Sequence, residues 1–113
     1  MTHEEQLFLK EFEIGALPFH EWTHKSHLHM GWLYLTNYDV VTATEKIHAG
    51  IINYNSLHKE NLQTGYCKKT TTRWITLILA KINQTKDISF SLFIERNKDL
   101  FNKNPLLPAP NHT

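Results

Sequence analysis

Residues 22 to 32 read "WTHKSHLHMGW" and hold three of the chain's eight histidines between two tryptophans. His24 and His27 stand three positions apart. On a helix that spacing puts both imidazoles on one face, with Cβ atoms about 5–6 Å apart, close enough to share a metal ion or a small ligand. His29, two positions further on, points to a different side. If Thr23 caps such a helix, the same-face pair sits in its first turns, where the helix dipole is positive. That field opposes an imidazolium and favours a neutral ring that can ligate metal or accept a proton. Gly31 follows His27 by four on the same face, where glycine costs about 1 kcal/mol relative to alanine. It lets a neighbouring helix or a ligand come close. The plain alternative is a polar first turn with tight packing behind it.

A second group lies in "GYCKKTTTRW", residues 65 to 74. With Thr64 as cap, Cys67, Thr71, Trp74 and Ile78 follow at i, i+4, i+7 and i+11, a single inward stripe. A cysteine in a first helical turn beside Lys68 and Lys69 should have a lowered thiol pKa. It would serve as a metal ligand, a nucleophile or a redox-sensitive thiol, or else as a small buried hydrophobe.

These groups need helices to position them, and the spacing predicts helices nearly throughout. "THEEQLFLKEF" opens with Thr2 and Glu5 at capping-box spacing, and Leu7, Phe8 and Phe12 form a short apolar face behind them. Gly15 and Pro18 in "GALP" end that helix. The helix of the histidines runs from Thr23 to about Tyr38, with Leu28, Trp32 and Leu35 facing the core. Asp39 caps a third helix, carried by Val40, Thr44, Ile47, Ile51 and Tyr54. After the break "NLQTG", the fourth has an almost continuous apolar run from Trp74 to Ala80, consistent with a central, well-buried element. The run Thr70 to Thr72 is poor helix material, so packing must override propensity there. "ISFSLFIERNKDLF" makes a fifth helix through Leu92, Phe93 and Phe101. Its alternation over Ile88, Phe90 and Leu92 is the one strand-like signal. The expected fold is an all-α, single-domain bundle of four to five helices over residues 1–104, with a Pro-rich extended tail over 105–113.

The totals narrow the function classes. A chain of 113 residues, 41% hydrophobic and 12% aromatic, suffices for one domain with one core. Twelve basic against eleven acidic residues leave +1, too balanced for a nucleic-acid footprint. No apolar run approaches the ~18 residues that a membrane span needs. The N-terminus is acidic where a signal peptide would be basic, and the single cysteine suits a reducing cytoplasm, so a cytoplasmic protein is expected.

"WTHKSHLHMGWLYL", then "IHAGIINYN", then "GYCKKTTTRW" together resemble a family of small bacterial helical proteins. That family carries a W-T-H-x-x-H-L segment, then a G-Y-H-x-T-x-T segment and a tryptophan. The resemblance spans roughly residues 16 to 78 and supplies motif positions rather than an activity. It singles out Trp22, His24, His27, Tyr66, Thr71 and Trp74, and implies that the helices carrying the two segments face one another. Two positions depart from it: the family's third histidine is Cys67 here, and its first motif threonine is Lys69. Cysteine can still bind zinc, iron or copper, but it cannot replace a histidine acid–base.

Three functions compete. One is a protein that binds a small ligand or a divalent metal (zinc, iron or copper) in a cleft between two helices, with Trp22, His24, His27, Tyr66, Cys67, Thr71 and Trp74 around it. In the metal version His24, His27 and Cys67 are the ligands, the fourth position is open, and His20, Glu21 or Tyr66 could add a donor. Another is a metal-free enzyme with a neutral histidine as base and Cys67 or Thr71 as nucleophile or donor. The third is a structural or interaction module, plausibly a homodimer, in which the histidines are only a hydrogen-bonded helix start.

Overall fold

The computed structural model describes residues 1–61, 67–86 and 89–102, with side chains for all of these but Asn61, Phe101 and Asn102. The all-α expectation holds, and no strand occurs among the described residues. Helices α1 (His3–Glu13), α2 (His24–Asn37), α3 (Val40–Leu57) and α4 (Lys68–Thr85) form the bundle, followed by short helices α5 (Phe90–Arg96) and α6 (Lys98–Asn102). Single 3₁₀ turns stand at Phe19–Glu21 and Lys59–Asn61. Among the described residues, no helix is long and apolar enough to cross a membrane.

The local signals explain most boundaries. Thr2 and Glu5 close a reciprocal capping box, each side chain accepting from the other's backbone N–H at 3.0 and 2.9 Å. Thr23 accepts from Ser26 N–H at the start of α2, and Asp39 accepts from Thr42 N–H at the start of α3. Gly15, at φ 77°, takes the left-handed turn that ends α1, and Leu57 fills the space where a Cβ would lie.

Three expectations are corrected. The start of α4 lies at Lys68 with Cys67 as N-cap, so the helix begins later than a Thr64 cap would place it; Thr64 itself lies outside the described residues. The fifth helix divides at Asn97, whose buried side chain donates to the Phe93 carbonyl at 2.9 Å and ends the first piece. On that segment Phe90 and Phe93 are buried while Leu92 is 40% exposed, so the inward face is not the one that Leu92 would mark. Leu7 and Val40 likewise face outward, and Leu9 takes the inward place on α1. The tail from residue 105 lies outside the described residues.

Phe12, Leu28, Met30, Leu33, Ile47, Tyr54, Trp74, Ile78 and Phe93 form the most deeply buried core. α2 lies at its centre, packed on α3, α4, α5 and α6. Gly31 marks a close approach of α2 to α4. A Cβ there would come within 2.9 Å of the Trp74 ring and 3.3 Å of Ile78. The glycine therefore admits a neighbouring helix, and α2 and α4 are packed on one another.

Candidate functional site

His27 is the chemically distinctive side chain of α2. Its ring stacks on Trp22, centroids 3.8 Å apart, and its Nδ1–H donates to the Thr23 carbonyl at 2.7 Å. Trp22 is packed in turn on Phe12 and Tyr54, at 4.8 and 5.1 Å. Burial strips water from the imidazole and holds its pKa down to about 4; the Thr23 bond opposes this shift, and the charge of His24 adds to it. At neutral pH the ring is therefore uncharged. The neutral state was anticipated from the helix dipole, but desolvation under an aromatic lid is its main cause. With Nδ1 committed as donor, Nε2 carries the lone pair, and it has no hydrogen-bond partner among the described residues.

His24 shares that face but turns to another partner. Its Nε2–H donates to the Leu100 carbonyl at 2.8 Å, tying α2 to α6. His29, on a different side as its spacing requires, lies between Phe8 and Phe90, with ring centroids at 5.2 and 4.2 Å. Its Nε2–H donates to Glu5 at 3.0 Å. Burial raises the Glu5 pKa, but the Thr2 bonds and the bond and charge of His29 outweigh it and leave the carboxyl below its usual range. An open groove of about 460 Å³ runs beside this pair, lined by Thr2, Glu4, Phe8, Lys25 and Ser26.

Cys67 is exposed, not the start of an inward stripe. Its thiol pKa is lowered, as expected, but chiefly because the Thr70 hydroxyl donates to the sulfur at 3.3 Å, with a smaller contribution from Arg73. Thr71 and Trp74 are buried on the inward face of α4, and the Trp74 indole N–H has no acceptor among the described residues. Tyr66 lies outside the described residues. His20 and Glu21 form an exposed pair at 3.7 Å. Among the described residues, no group of three or more His, Cys, Asp or Glu side chains is placed to hold a metal ion. His24, His27 and Cys67 thus do not converge as a ligand set: one imidazole is bonded to a carbonyl, one lies under Trp22, and the thiol faces solvent.

The residues that sequence reasoning missed are the partners. Tyr54 was legible only as core, yet it backs Trp22, the ring stacked on His27, and its hydroxyl donates to the Leu17 carbonyl at 2.9 Å. Burial, aided by the charge of Glu21, pushes its pKa up to about 12. His58 stacks on Tyr54 at 4.1 Å and its Nε2–H donates to the Gly15 carbonyl at 3.0 Å, closing the same aromatic row from the far end. Nothing in the spacing of Phe12, Trp22, Tyr54 and His58 along the chain announces that row. Compared with known proteins, the chain matches no protein-family model, no curated protein and no solved structure.

Proposed function

We propose that the chain is a small-ligand-binding helical domain with His27 at the centre of its recognition site. One observation carries this reading. A partly buried imidazole is kept neutral and oriented by the Thr23 carbonyl and Trp22, leaving Nε2 without a partner among the described residues. Orienting a ring through its other nitrogen is the usual way a protein prepares an imidazole to receive a ligand's N–H or O–H or a metal ion. Trp22, stacked on His27 and itself packed on Phe12 and Tyr54, provides the apolar surround such sites use.

The same pKa favours binding over acid–base catalysis. A base near 4 is protonated too weakly at neutral pH to drive a proton transfer. In the metal version, zinc, iron or copper would bind first at His27 Nε2, with Cys67 or His24 joining only after rearrangement. The test is a fragment and metal screen on untagged protein by ¹H–¹⁵N NMR, repeated on His27→Phe, which keeps a stacking ring but removes Nε2. Fragments or zinc should shift the Trp22 and His27 signals in the natural chain and lose at least tenfold in affinity in the variant. Equal binding to both would end the reading.

The interaction-module reading has an observation of its own. Val41 and Ile52, eleven apart on one face of α3, are 68% and 49% exposed. If that face pairs with a second copy, Val41→Glu should turn a dimer into a monomer by light scattering; a chain monomeric before substitution removes this reading.

A further inference from the structure

The pair α5–α6 has features of a detachable element. At seven and five residues, both helices are far below the ~12–15 residues at which a helix holds its shape alone, so docking must maintain them. Among the described side chains its buried anchors are Phe90, Phe93, Asn97 and Leu100, with Ile94 partly buried beside them. Polar ties come from α2 and α4. His24 Nε2–H reaches the Leu100 carbonyl at 2.8 Å, the His29 ring lies on Phe90 at 4.2 Å, and Lys81 meets the exposed Asp99 at 3.5 Å. An exposed pair of that kind holds little.

Closure also carries a specific cost. The Trp32 indole is only 5% exposed and lies tilted against Phe90 and Phe93, with centroids at 5.9 and 6.3 Å. Its N–H has no acceptor among the described residues. A buried donor left unpaired favours any state in which water can reach it. We propose that α5–α6 is a strap that lifts from α2 as one unit while α1–α4 remain folded, and that its lifting turns the Trp32 N–H into an available donor. The rest of the core does not rely on the strap. Phe12, Leu17, Trp22, Ile47 and Tyr54 come from segments outside it, and α2 keeps its packing on α3 and α4.

Native-state hydrogen exchange on the full chain tests this. The α5–α6 amides and the Trp32 indole N–H should exchange together through one opening, at least tenfold faster than the slowest amides of α2 and α3. A Trp32 indole N–H that exchanges only with those slowest amides overturns the proposal. A second measurement replaces Trp32 by its benzothienyl analogue, which keeps the ring shape and lacks the N–H. Removing the unpaired donor should slow strap exchange several-fold. Unchanged or faster strap exchange in the analogue would likewise overturn it.

Discussion

His27 and His29 stand two residues apart on α2 and meet opposite environments. His27 is covered by Trp22, bonds among the described residues to a backbone carbonyl, and with a pKa of about 4 is neutral at neutral pH. His29 is also held between aromatic rings, but it faces a carboxylate that can accept its proton-bearing nitrogen in either charge state. One ring is held through Nδ1–H and keeps its lone pair on Nε2, and the other is held through Nε2–H as a clasp joining α1, α2 and α5. Helix rotation of about 200° between i and i+2 is enough to separate the two roles. Counting histidines therefore says little about chemistry; the partner on the opposing element decides.

The largest expected effect comes from breaking the His27 side. Trp22→Ala removes the ring that joins His27, Phe12 and Tyr54, and should cost about 3–5 kcal/mol in chemical denaturation. In the same variant the His27 pKa should climb back toward the ordinary histidine range, followed by NMR titration. A value that stays near 4 would mean that another element, not Trp22, excludes water.

The next effect is the pH dependence of the intact chain. His27 has a folded pKa below its unfolded one, so the unfolded chain binds more protons between about 6.5 and 4. Stability should therefore fall as pH drops through that window, and level off below it, by up to about 3 kcal/mol from this group. His27→Phe should flatten that slope, as measured by urea midpoints at pH 7.5, 5.5 and 4.5. An unaltered slope in His27→Phe would erase the contrast between the two rings.

How much of this was legible follows from the range of the interactions. Thr2, Thr23 and Asp39 act on residues three positions away, and their spacing alone announced three helix starts. The two sides of α2 were legible for the same reason. The Leu100 carbonyl that engages His24 lies 76 residues along the chain, and no periodicity encodes it. The inward stripe of α4 stops at Thr71, one turn short of Cys67. The helix starts after it, and a residue at the N-cap is not bound to the face of the turns that follow. Phe90 and Leu92 both fit an apolar pattern, and only docking against His29 and Trp32 chooses between them.

Between the two effects above and the smallest lies Gly31, which sets the distance between α2 and α4. Gly31→Ala gains about 1 kcal/mol in helix propensity but forces a methyl to 2.9 Å from the Trp74 ring. Overpacking of this kind costs about 1–3 kcal/mol, so a net loss of up to about 2 kcal/mol is expected in thermal melting. A more stable variant would show that the Trp74 ring can move aside, and that the helices beside His27 are less tightly joined than their contact indicates.

The smallest expected effect tests the His29 side. Glu5 uses one oxygen for the Thr2 backbone and the other for His29, so Glu5→Ala loses both bonds and should cost about 1–2 kcal/mol. Glu5→Gln is gentler for a stereochemical reason. Its oxygen can keep the Thr2 bond while its NH₂ donates to His29 Nε2, provided that the imidazole moves its proton to Nδ1. Such a switch is open to His29, whose Nδ1 has no hydrogen-bond partner among the described residues, and closed to His27, whose Nδ1–H is held by Thr23. The Gln variant should then lose less than about 1 kcal/mol at neutral pH. It should also lack the carboxylate's own pH dependence, since the Glu5 contribution is present above the ordinary carboxylate range and fades as pH falls through its lowered folded value. ¹⁵N chemical shifts of the ring read the tautomer directly. A Gln variant as unstable as the Ala variant, with His29 still protonated on Nε2, would mean that the clasp depends on the carboxylate and not on the geometry around it.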